Sequence, residues 1–220
     1  MKLILDFLQD LAANNQREWF LANRKKYDEA TGSFKKMIEP VLLEMKSVDE
    51  SLQSLQLKEC FFRINRDVRF SKNKDPYKIN FSAYFSPGGK KSGKASYYLQ
   101  IQPSASFIAA GVWMPEPVIL KALRQEIYFN SDEFIKIVEQ KDLVKQFGGL
   151  DQSDKLKNPP KDFDNQYDHI DLLKHKSFIL SSPLSDKTVL DKNFPKLVVS
   201  HFEKAVPFVG FLNRAIHELE

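Results

Sequence analysis

FSAYFSPGGKKSGKASYYLQIQPSASFIAAGVW, residues 81–113, decides the fold. Phe81, Ala83 and Phe85 alternate with Ser82 and Tyr84. Tyr97, Leu99 and Ile101 alternate with Tyr98, Gln100 and Gln102, and the run from Phe107 to Trp113 is apolar on both faces. A period of two is the strand period. The connections, Pro87-Gly88-Gly89 through Gly93 and Pro103 through Ser106, are too short for crossover helices, so consecutive strands form antiparallel hairpins. The alternation predicts one sheet face packed on helices and one more polar.

Outward from this meander the period becomes helical. Leu3, Leu5, Phe7, Leu8 and Leu11 predict a first helix ending near Asn14-Asn15, either of which can cap the next. Phe20, Tyr27, Phe34, Met37, Val41 and Met45 then recur at helical spacing, with Gly32 and Pro40 expected to weaken or kink the element. Beyond the meander, Pro117 suits a helix first turn, Ser131 can cap a further helix, and residues 148–167 read as irregular loop or small hairpin. Ile170 to Leu173 predicts a short helix and Ser177 to Leu180 a short strand. Two C-terminal stripes, Phe194 to Phe202 and Phe208 to Leu219, predict helices that Pro207 starts or separates. Helix, meander, helices is an α+β order: an antiparallel meander sheet packed against N-terminal, central and C-terminal helices, expected as a single domain over residues 1–220.

Phe62 and Ile64 alternate with Arg63 and Asn65, which predicts another short strand, and here the charge gathers. In FRINRDVRFSKNKDPYKINF, residues 62–81, six basic residues face two acids, a net +4 that equals the charge of the whole chain. The basic character is therefore local. On a strand, Arg63 and Asn65 would share a face with Ser82, Tyr84, Tyr98 and Gln100, a set able to orient an anion; the plain alternative is a solvated sheet face. From Arg66 to Lys78 the run reads as a loop braced by Pro76. There Asp67, among three arginines, stays ionised and suits an arginine-orienting role; the alternative is an Arg-Asp network that fastens the loop. Lys90, Lys91 and Lys94 extend the positive field, although a lysine-rich hairpin tip commonly serves solubility. Arg124 reads as an exposed helical residue, with reach towards the sheet as the alternative.

The rest of the chain narrows the classes. Its one cysteine, Cys60, adjoins Phe61 and Phe62 and reads as a small buried hydrophobe. It excludes an internal disulfide framework and fits a reducing, cytoplasmic compartment. Asp6 and Asp10 interrupt any signal-peptide core, and no apolar run is long enough to span a membrane. The four histidines form no zinc motif, and there is no nucleophile elbow, Walker loop, dinucleotide fingerprint or nucleic-acid-binding module, so no cofactor is indicated.

FRINRDVRFSKNKDPYKINF resembles the signature of the DUF2461 family. NNQREWF, YYLQIQP, AAGVWMPEP and PPKDFD resemble further landmarks of that family in the same order. The resemblance implies a mostly bacterial and fungal α+β protein of one domain, and it implies no activity. The family commonly has glycine after Pro-Lys where this chain carries Asp162.

Two readings follow. In the first, a cationic pocket binds, with or without chemistry upon it, a small phosphorylated or carboxylated ligand: Arg63, Arg66 and Arg69 clamp the anion, Asn65, Tyr84 and Tyr98 orient it, Asp67 positions an arginine and Lys78 adds charge. In the second, the basic loop of a non-catalytic interaction module docks an acidic protein or nucleic-acid surface. Oligomerisation suits either.

Overall fold

A computed structural model describes residues 1–219. Helices α1 (Lys2–Ala13), α2 (Arg17–Ala22) and α3 (Arg24–Val48) lead into strands β1 (Phe81–Phe85), β2 (Ser96–Ile101) and β3 (Ser106–Val112). Helices α4 (Pro117–Phe129), α5 (Ser131–Val138), α6 (Lys141–Phe147) and α7 (Ile170–Leu173) precede strand β4 (Phe178–Leu184), followed by α8 (Asp186–Val189) and α9 (Phe194–His217). The sheet order is β1-β2-β3-β4, antiparallel throughout. The α+β meander is therefore as expected.

Register explains the two faces. Ala83, Leu99 and Ile108 form one cross-strand row and Phe85, Tyr97, Ala110 and Leu180 the next, all buried against α3 and α9. Phe202 of α9 packs its ring against Phe85 and Tyr97. Tyr97, fully buried, sends its hydroxyl to Asp49 Oδ2 at 2.7 Å, so the one polar atom in that row is satisfied. The opposite rows, Tyr84-Tyr98-Ala109-Ser181 and Ser96-Gly111-Ile179, face away from the helices. Both sheet edges are covered. Cys60 O accepts from Tyr84 N–H (2.9 Å) beside β1, and Asp151 N–H donates to Ile179 O (2.8 Å) beside β4.

Several local expectations are corrected. Residues 62–66 are not a sheet strand: Asn65 bridges Tyr77, Lys78 N–H reaches Ile64 O, and Arg66 N–H reaches Pro76 O. The segment thus pairs with the return limb of its own loop, and Pro76, lacking an N–H, cannot extend that ladder. Arg63 and Asn65 consequently do not stand in the sheet face. Asn15 caps no helix; its side chain brackets Tyr77, donating to the carbonyl (2.9 Å) and accepting from the N–H (3.1 Å), while the Tyr77 ring stacks on Phe20 at 4.0 Å. Asn130, not Ser131, is the N-cap of α5.

Pro40 and Pro207 interrupt neither α3 nor α9. Both lie on exposed faces, where the carbonyl one turn back is left to water. The 148–167 loop forms no hairpin of its own; Leu150 bridges Leu180 and Lys155 bridges His175. Helices α6 and α8 carried no expectation, and α6 ends at Gly148 in the left-handed conformation that glycine favours (φ 74°).

Candidate ligand-binding cavity

The helix-free sheet face is the floor of a cavity of about 790 Å³, open to solvent. Its floor exists because the outward positions at the sheet centre are small: Ser82, Ser96, Ala109 and Ser181. Large side chains stand around them. Phe62 leans edge-on over Tyr84 (6.0 Å) and Tyr98 (6.3 Å), Phe107 flanks Tyr98 at 5.6 Å, and Trp113, largely exposed, stands at the far end. The volume lies within the range of small-molecule sites, with few polar groups among apolar walls.

Polar groups on this floor are tied in rows. The Tyr98 hydroxyl donates to Gln100 Oε1 (3.1 Å), and Gln100 Nε2 donates to Gln102 Oε1 (3.2 Å), a chain along one strand. Burial pushes the Tyr98 phenol upwards, so it is a neutral donor at physiological pH. The Tyr84 hydroxyl donates to the Lys94 carbonyl at 3.3 Å. At the β3–α4 turn Met114 takes a left-handed conformation (φ 47°), with its N–H bonded to Ser177 Oγ at 2.9 Å. A strained non-glycine residue on the rim of a cavity is common where a wall must be held in place.

Charge collects around Phe62. The ammonium groups of Lys78 and Lys90 each lie 5.2 Å from its ring centroid. Lys90 also donates to the Phe61 carbonyl. Lys78 is half-buried; burial first, then repulsion from Arg63 and Lys90, holds it below the ordinary lysine range. Among the described residues no carboxylate pairs with either lysine. The opposite side is acidic: Asp151, beside β4, and Glu116, before α4, also line the cavity. Hydrogen bonds from Ser153 hold Asp151 below the usual carboxylate range.

The residues expected from sequence divide. Lys78, Tyr84 and Tyr98 meet at this cavity. Arg63 lines a smaller neighbouring cavity of about 250 Å³ with Lys35 and Thr31, and Phe62 and Ser82 border both. Arg66 is occupied inside its loop, donating to the Asp75 carbonyl (3.0 Å) and to Ser71 Oγ (3.2 Å). Arg69 and Asp67 form an exposed fork, 2.7 Å at its shorter contact, and those bonds depress the Asp67 carboxyl. The three arginines are thus not gathered into a clamp. Arg124 is turned inwards, its Nη2 donating to the His175 carbonyl at 3.0 Å. Phe107, Trp113 and Asp151, not expected as site residues, line the cavity too, as does Lys90, expected only to extend the positive field. The small outward residues of β2 and β3 were their one legible sign. Among the described residues no three His, Cys, Asp or Glu side chains are grouped to hold a metal ion, and no helix is long and apolar enough to cross a membrane.

A family model described as conserved hypothetical protein (DUF2461) matches residues 3–211. No curated protein and no solved structure matches the chain. Asp162 forms an exposed ion pair with Lys121 of α4 at 3.3 Å.

Proposed function

The chain belongs to the DUF2461 family of conserved hypothetical proteins, and we propose that it binds, in the cavity over its open sheet face, a small carboxylated or phosphorylated ligand with a flat apolar body. One observation carries this reading. Lys78 and Lys90 converge on one aromatic ring at the cavity edge, and among the described residues no carboxylate pairs with either. The charge on Lys90 disfavours the charged form of Lys78, and burial of Lys78 disfavours it further. An anion placed there relieves both penalties, and Phe62, Tyr84, Tyr98 and Phe107 offer faces and edges to a planar body. In this reading the protein works in the cytoplasm, where Cys60, buried and with its thiol pushed up to about 12 chiefly by burial, has no redox task.

The test is a thermal-shift screen of phenyl phosphate, naphthyl phosphate, benzoate and inorganic phosphate. At 100 times its dissociation constant a true ligand stabilises by about 2.7 kcal/mol. The aromatic anions should act and inorganic phosphate should act weakly. Equal shifts in wild type and a Lys78→Gln, Lys90→Gln double variant would remove the reading.

A second reading has one observation behind it. Phe70, at the tip of the basic loop, is 96% exposed, with the Arg69 guanidinium 5.8 Å from its ring and Lys72 and Lys74 exposed nearby. That is a tip suited to docking an acidic protein or nucleic-acid surface. It predicts salt-sensitive association that Phe70→Ser weakens; association indifferent to salt and to Phe70 would exclude it.

A further inference from the structure

The two ends of the cavity carry opposite charge, and this restricts the ligand beyond the anionic group already proposed. Lys78 and Lys90 sit at Phe62, whose ring rests over β1 and β2. Asp151 lies beyond β4, its backbone bonded to the outer edge of that strand at Ile179. Between the poles stretch the small floor residues Ala109 and Ser181, which leave the passage clear.

We infer that the cavity takes an elongated zwitterion: an anionic group at Lys78 and Lys90, an aromatic body across the floor, and a protonated amine at Asp151. The inference rests on the reading above, to which it adds the second pole. Neighbouring strands are spaced by about 4.8 Å, so three to four spacings separate the poles, on the order of 15 Å. After hydrogen-bond contact at each end, a charge separation of about 10 Å remains, the span of an extended tripeptide. Asp151 is fit for the role. Its Oδ1 accepts from the Ser153 N–H at 2.6 Å, which orients the carboxylate, and those bonds favour its ionised form. No lysine or arginine among the described residues pairs with it within 4 Å. The amine end of a ligand would therefore displace water and no internal partner.

The experiment is a calorimetric titration with Gly-Phe-Gly, its N-acetyl form and its C-terminal amide, against wild type, Asp151→Asn and Lys78→Gln. Asparagine keeps the acceptor for Ser153, so Asp151→Asn removes charge and leaves the turn intact. Acetylation should weaken binding to wild type at least tenfold and change little in Asp151→Asn. Amidation should weaken binding to wild type similarly and change little in Lys78→Gln. If acetylation costs nothing while amidation does, the zwitterion is overturned and the anion site stands. If the tripeptide fails to bind while phenyl phosphate binds, the zwitterion is likewise overturned alone. If neither binds, both fall.

Discussion

Lys78 illustrates how a residue poorly placed for stability can suit the binding role proposed for it. Its ammonium is half-buried and faces Arg63 and Lys90, so its folded pKa lies below its unfolded one. In the window between those values, below 10.5, the unfolded chain binds more protons. Stability contributed by this group therefore rises with pH as the ammonium neutralises, and its penalty is fully present at neutral pH. Lys78→Met, which keeps the stem and removes the charge, is expected to raise the melting temperature slightly in the absence of ligand while weakening phenyl phosphate binding at least tenfold. A variant that melts lower with unchanged affinity would contradict the assignment. His175 shows the same sign in a lower pH window. It is 1% exposed, packs beside Phe178, and among the described residues neither ring nitrogen has a hydrogen-bond partner. Burial, reinforced by Lys155 and opposed by Asp151, depresses it to about 4. Because the folded pKa is the lower one, its contribution is intact above about 6.5 and is lost as the pH falls from there towards 4. Urea unfolding should show a loss on the order of 2–3 kcal/mol across that window, beyond that of His175→Phe. Parallel curves for the two proteins would mean the imidazole does not titrate in the fold.

At the scale of elements, β3 carries both faces of the design. Its inner residues Ile108, Ala110 and Val112 enter the core, and its outer ones, Phe107 and Ala109, line the cavity. Gly111 is the point where no side chain fits. Its φ of +121° is open to glycine, and an added Cβ would lie 2.0 Å from the Phe178 carbonyl oxygen and 3.0 Å from Phe208 Cε1. Gly111→Ala should destabilise by more than about 3 kcal/mol, read as a lower urea midpoint at constant slope. A change under 1 kcal/mol would show that β3 can shift away from β4. The meander was legible in sequence because Phe81-Ala83-Phe85 and Tyr97-Leu99-Ile101 state their period without help from distant residues. Residues 62–66 show the same alternation and are no strand of the sheet, because alternation does not reveal which partner a segment takes. Pro207 misled for a related reason: a proline removes one helix hydrogen bond and crowds the carbonyl one turn back, an exposed position lets that carbonyl turn to water, and exposure is not written in the local pattern.

At the scale of the whole molecule, the cavity is assembled from segments distant in the chain: Phe62 and Lys78 from the basic loop, Lys90 from the first hairpin, Trp113 from the β3–α4 turn and Asp151 from the long loop. Local charge density pointed to the neighbourhood of the cavity, and of the cations it singled out Lys78 lines that cavity while the three arginines do not. Arg66 and Arg69 are spent inside their own loop, while Lys90, which reads as a solubility device, folds back onto Phe62. The outward placement of Tyr84 and Tyr98 was legible because alternation survives at the scale of one strand. Asp151 was missed because its place depends on how the long loop runs beside β4. The central claim is that the anion site lies at Lys78 and Lys90 and not at the arginines of the basic run. Calorimetric titration of phenyl phosphate into wild type, Lys78→Gln and Arg69→Gln tests it most directly. At least a tenfold loss of affinity in Lys78→Gln, about 1.4 kcal/mol, with Arg69→Gln unchanged, is the predicted result; the reverse pattern would contradict it.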